Sequence, residues 1–144
     1  MPAMGHVFVE AELSWKRAVR IRVLVDTGAT HSVLPSDLAD RLGVVRSPRA
    51  IRVELADGSH RSMRVGTVLI RLLGREAGDT ALIARRGAEP VLGVEALEAL
   101  GLTVDPRSRK LKPSRARAVL LVARDRRAGD REDHFQQERR AMAR

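Results

Sequence analysis

The carboxylate best placed to do chemistry is Asp26, in the run Val23-Leu24-Val25-Asp26-Thr27-Gly28-Ala29-Thr30. The apolar residues Val23, Leu24 and Val25 predict an interior strand, and Gly28 permits backbone dihedrals closed to other residues. The acid therefore falls at a strand end, just before a tight turn. Burying it there is costly unless the loop hydrogen bonds to it or a second group shares its proton. Such an arrangement suits activation of a water molecule. Other chemistry is poorly supplied. The chain has no Cys, which excludes disulfides and thiolate metal ligands. Its four His are scattered, with no pair three or four residues apart, contrary to the pattern of a zinc enzyme.

The elements that must position Asp26 follow from composition and pattern. A chain of 144 residues supports one domain, and with 44% hydrophobic but only 2% aromatic residues its core must be built from Val, Leu, Ile and Ala. Aliphatic, β-branched content broken by Gly and Pro favours an all-β fold. Residues 6–13 alternate as a strand with Val7, Val9, Ala11 and Leu13 on one face, and 18–25 form a second strand running into the Asp26 loop. Ser32-Val33-Leu34 is extended; Ser36 is suited to cap a short helix over 37–42 that Gly43 ends. A strand over 50–56 meets Asp57-Gly58, a two-residue hairpin signal, and 61–73 returns as strand. A turn over 74–79 leads to a strand over 80–84. Val91-Leu92-Gly93 then enters a helix over 94–100 closed by Gly101, and Leu102-Thr103-Val104 and Lys110-Leu111-Lys112 flank an Asp105-Pro106 turn as a last hairpin.

Asp-Thr-Gly alone is a weak motif, but its surroundings are specific. Three apolar residues precede it, Ala29 and Thr30 follow, and Leu34-Pro35 with a short helix come next. A candidate hairpin lies some thirty residues on. About sixty-five residues on, Val91-Leu92-Gly93 precedes a helix. Together these features resemble the retropepsin-like aspartic proteases, the single-domain retroviral type and its cellular and bacterial relatives, over residues 6–113. The resemblance implies a small closed β-barrel-like domain in which the catalytic loop and the strand Val91, Leu92, Gly93 cross beside the active site. It also implies a homodimer with one catalytic Asp26 from each chain at the two-fold axis, since a single Asp-Thr-Gly in so short a chain does not supply the duplicated pepsin-like form. Two close carboxylates share a proton; the ionised one acts as general base on water while the protonated one polarises the scissile carbonyl, with no metal or organic cofactor.

By the same resemblance, Thr27 braces the dimer by reaching the facing loop, Gly28 lets backbone groups approach the carboxylates, and Thr30 supports the loop. Ala29 stands where pepsin-like members usually carry Ser or Thr, so the dyad should titrate higher than in those enzymes. The hairpin tip at Ala56, Asp57, Gly58 and Ser59 would be a flap over a peptide or protein substrate. It departs from the glycine-rich, apolar retroviral flap in being polar.

Duller readings stand beside these. Asp26 could cap a turn in a non-catalytic barrel kept for dimerisation or peptide binding. Glu95 and Glu98 suit a solvated helix face, and His31 a structural or exposed position. The formal charge of +9 invites nucleic acid as a partner, but +4 of it comes from nine Arg against five acids in residues 114–144 and the rest is spread thinly. A solvated basic surface is the simpler account, with nucleic acid not the primary partner and an Arg-rich tail its route if there is one. The domain is expected over residues 1–113, with 114–144 a mobile tail. No stretch approaches the length of a membrane span, and the chain is expected to be cytoplasmic.

Overall fold

The computed structural model describes residues 7–114. The tail expected over 114–144 lies outside them apart from Ser114, as does His6. Strand β1 (Val7–Ser14) alternates half-buried or buried Val7, Val9, Ala11 and Leu13 with more exposed residues. It pairs antiparallel along its whole length with β2 (Ala18–Val25). Next come β3 (Ser32–Pro35), helix α1 (Ser36–Leu42), β4 (Ile51–Glu54), β5 (His60–Met63), β6 (Val65–Leu72) and β7 (Arg75–Ala84). The short strand β8 (Val91–Leu92), helix α2 (Val94–Leu100), β9 (Leu102–Val104) and β10 (Leu111–Pro113) complete the described chain.

Six strands close into a barrel in the order β1-β2-β8-β3-β7-β6, with β6 returning to β1. Closure removes the open edges that a small sheet would expose. The β4–β5 hairpin and the β9–β10 hairpin are separate two-stranded sheets. The core is aliphatic throughout, with Leu13, Val23, Leu42, Val68, Ile70 and Leu100 among its fully buried side chains. The two described aromatic residues lie outside it: Trp15 is 43% exposed, and Phe8, 38% exposed, carries the Arg22 guanidinium 3.9 Å from its ring centroid. Both helices end on glycines in the left-handed conformation, Gly43 (φ 74°) and Gly101 (φ 69°), as expected.

Three expectations change. Ser36 does not cap α1: Pro35 is the capping position, extended at the end of β3, and makes no side-chain cap bond. Asp37 in that turn instead accepts a hydrogen bond from the Gly87 amide at 3.1 Å, which holds its carboxyl below the usual range and ties α1 to the turn after β7. The single strand expected over 61–73 is two, β5 and β6, separated at Arg64, because one half belongs to the hairpin and the other to the barrel. The turn expected over 74–79 is only Leu73 and Gly74, both with positive φ, and β7 begins at Arg75. Gly78 and Asp79, whose residue types favour turns, lie inside that strand opposite Leu69 and Val68.

Candidate active site

Val25, the buried last residue of β2, runs parallel to Leu92 of β8. The chain leaves this pairing as the loop Asp26, Thr27, Gly28, Ala29, Thr30, and backbone hydrogen bonds fasten both ends of the loop to one segment. Leu24 and Asp26 donate to the carbonyls of Pro90 and Leu92, each at 3.0 Å. On the far side, Val94 and Glu95 donate to the carbonyls of Ala29 and Thr30 at 2.8 and 3.1 Å. Those two amides open α2, where helical N–H groups have no partner within the helix, so the loop satisfies the helix start and the helix start fixes the loop. The structure thus brings Asp26, Thr27, Gly28, Ala29 and Thr30 together with Val91, Leu92 and Gly93.

Within the loop, the Ala29 amide donates to the Asp26 carbonyl at 3.1 Å, and the Gly28 amide donates to Asp26 Oδ1 at 2.9 Å. The carboxylate is therefore oriented by its own turn. The φ of Gly28 is not in the left-handed region; a Cβ there would sit 3.3 Å from Asp26 Oδ1, a tight contact with the carboxylate that its amide holds. Gly93 is more constrained: an added Cβ would lie 2.6 Å from the His31 carbonyl carbon and oxygen and 2.8 Å from the Thr30 carbonyl oxygen. Asp26, Thr27 and Gly28 are exposed in the single chain, Ala29 is half-buried, and Thr30 is exposed. The acid is thus not buried by its own barrel.

The hairpin tip is held by its own bonds. Leu55 donates to the Ser59 carbonyl at 2.8 Å, and Gly58, at φ 84°, donates to that of Leu55 at 2.9 Å. The turn therefore spans Ala56, Asp57 and Gly58, not the two residues expected, and ends on a left-handed glycine, a usual three-residue hairpin form. Asp57 Oδ1 accepts from both the amide and the hydroxyl of Ser59, and these bonds, the hydroxyl's first, hold its carboxyl below the usual range. Among the described residues, no hydrogen bond joins this tip to the Asp26 loop.

Two polar residues missed in the sequence lie under the loop. Ser32 and Asp79 are the buried polar side chains among the described residues, 3% and 8% exposed. Ser32 Oγ accepts the Gly93 amide at 3.1 Å and its hydroxyl hydrogen bonds to Asp79. Beside them, His31 Nδ1 lies 3.5 Å from Glu95 Oε2, so the exposed positions expected for both residues include a contact with each other. Among the described residues no group of three or more His, Asp or Glu side chains is arranged to hold a metal ion. No described helix is long and apolar enough to cross a membrane.

The fold has counterparts in solved structures. The EIAV protease complexed with the inhibitor HBY-793 superposes with a TM-score of 0.57 at 22% identity, over 73% of this chain and 97% of the protease. The retroviral protease-like domain of Ddi1 from Leishmania major does so with a TM-score of 0.55 at 17% identity, over 78% of this chain and 91% of that domain. At such identities the likeness is one of fold. No curated protein matches the sequence. The family described as "gag-polyprotein putative aspartyl protease" matches residues 16–99, a span that holds the Asp26 loop, the hairpin tip and the crossing strand. With more than half its length matched and a retropepsin-like barrel around Asp26, the chain belongs to this gag-type aspartyl protease family.

Proposed function

We propose that the protein is an aspartic endopeptidase whose active site forms when two copies bring their Asp26 loops together. One carboxylate of the pair, ionised, takes a proton from water as it attacks the peptide carbonyl carbon; the other, protonated, donates a hydrogen bond to the carbonyl oxygen. Two such groups at close range cannot both ionise cheaply, which is why they share one proton. The observation that carries this reading is the state of Asp26 in the single chain: exposed, yet oriented by the Gly28 amide on a loop anchored at both ends. Thr27, exposed beside it, is assigned to bracing the facing loop, and Ala29 and Thr30 to holding the anchor. The tip at Ala56, Asp57, Gly58 and Ser59 is assigned to covering a peptide substrate, within a catalytic domain spanning residues 1–113.

Mass-spectrometric profiling of cleavage in a peptide library, wild type beside Asp26→Asn, tests the reading. Wild type should cut internal peptide bonds and the variant should not. Specific activity should fall on dilution as dimers seen by sedimentation dissociate. Undiminished cleavage by a folded Asp26→Asn protein, or full activity from a monomer, overturns it. Peptide binding without cleavage by wild type would assign the fold to a binding module instead.

A further inference from the structure

Asp79 is a buried carboxyl that the proposed reaction does not use. It lies in β7, where Ala77, Asp79 and Ala81 share the inward face, and its Oδ2 has no hydrogen-bond partner. Burial pushes its carboxyl above the usual range, against the opposing effect of the Ser32 hydroxyl. Glu95, on α2, adds to the rise; the Thr80 amide and His31 oppose it, and from β6 the residue opposite is the apolar Val68. A buried carboxyl with one oxygen unpartnered calls for a reason beyond packing.

The reason lies in Ser32. A hydroxyl has one hydrogen to give. Ser32 accepts from Gly93 and hydrogen bonds to Asp79, so Asp79 sets the rotation that aims the oxygen at the Gly93 amide. Gly93 is the residue before α2, whose first two amides hold the carbonyls of Ala29 and Thr30. We infer that Asp79 is a positioning residue for Asp26, acting through Ser32 and Gly93 to fix the helix start from which the catalytic loop hangs. This inference rests on the proposed role of Asp26.

The test uses the full chain and a peptide found to be cleaved in the library profile. Asp79→Ala and Ser32→Ala should each lower kcat about ten-fold, with KM within about two-fold of wild type, because geometry and not substrate contact is lost. The double variant should be no worse than either single one, as expected for two members of one chain of contacts. Asp79→Asn keeps an acceptor for the Ser32 hydroxyl and should recover kcat to within about three-fold of wild type. Losses that multiply in the double variant, or a folded Asp79→Ala protein with wild-type kcat, overturn the inference. If Asp79→Ala does not fold, Ser32→Ala against Asp79→Asn decides: wild-type kcat in Ser32→Ala overturns it. Amide hydrogen exchange supplies a readout independent of activity. At Gly93, Val94 and Glu95 it should quicken in Ser32→Ala relative to a core amide such as Val68. A wild type that cuts nothing refutes the protease reading, and unchanged relative exchange refutes this one.

Discussion

The Asp26 loop and the hairpin tip at Ala56, Asp57, Gly58 and Ser59 are both exposed turns between strands, and both orient an aspartate through an amide two residues on. They differ in what lies behind them. The loop is fastened to Pro90, Leu92, Val94 and Glu95 and backed by the buried pair Ser32 and Asp79, while the hairpin is a two-stranded sheet apart from the barrel whose tip, among the described residues, is held by its own bonds. Residues that must act on a reacting atom gain from a stiff support, and a cover that must admit substrate gains from the lack of one. On the proposed reading, the same short-range chemistry would serve two purposes according to how it is anchored.

The sharpest way to test that division is at Asp26. Asp26→Asn removes the proposed general base from an exposed position, so cleavage should fall by about 10²–10⁴-fold while the melting temperature barely moves. A large loss of stability instead would mean that the loop is structural. Next comes the support. Gly93→Ala drives a methyl into the backbone of Thr30 and His31, which cannot rotate away as a side chain could. It should cost about 3 kcal/mol and most of the activity, read by denaturant unfolding and turnover together. Gly58→Ala in the tip meets open space but keeps a φ of 84°, so strain of about 1–2 kcal/mol should stay local. KM should shift more than kcat. If Gly58→Ala damaged turnover as deeply as Gly93→Ala, the contrast between support and cover would fail.

How much of this was legible beforehand depended on whether local pattern and tertiary role agreed. Strand β2 and helix α2 have the bounds expected, because an apolar run ends at Asp26 and Gly101 closes a run of helix formers. The Asp26 loop was legible for the same reason: its type and order of residues are local. Strand β7 was not, because Gly78 and Asp79 carry the composition of a turn yet pair with β6. A signal was present in the two-residue spacing of Ala77, Asp79 and Ala81, an inward row that only the barrel explains. Missing it hid Asp79, and with it the role of Ser32, whose partners lie 47 and 61 residues away. Gly28 divides two readings: the dihedral argument does not hold, while the close approach to the carboxylate implied by the resemblance agrees with the bond from its amide to Asp26 Oδ1.

The smallest effect distinguishes the two regions by sign. Asp79 is raised above the usual 3.8, first by burial, so ionising it opposes folding. No penalty exists below about pH 4, where the carboxyl is protonated in both folded and unfolded chains; it grows as pH rises through the folded pKa and is then complete. Asp79→Asn never ionises. Its stability relative to wild type should therefore climb from about pH 4 towards neutrality and level off, whatever constant offset the substitution adds. Asp57 is lowered from 3.8, chiefly by the Ser59 hydroxyl, so its ionised form supports folding. That support is present above 3.8 and lost as pH falls through the folded pKa, so Asp57→Asn should lose ground against wild type only as pH rises through a window below about 4. The second effect is the smaller because solvent screens an exposed group. Thermal melts of the three proteins from about pH 2 to 8 decide it. Slopes of the same sign would mean that the carboxyl beneath the loop is no more costly to ionise than the one in the hairpin, and that the buried support under Asp26 is not under the strain its surroundings impose.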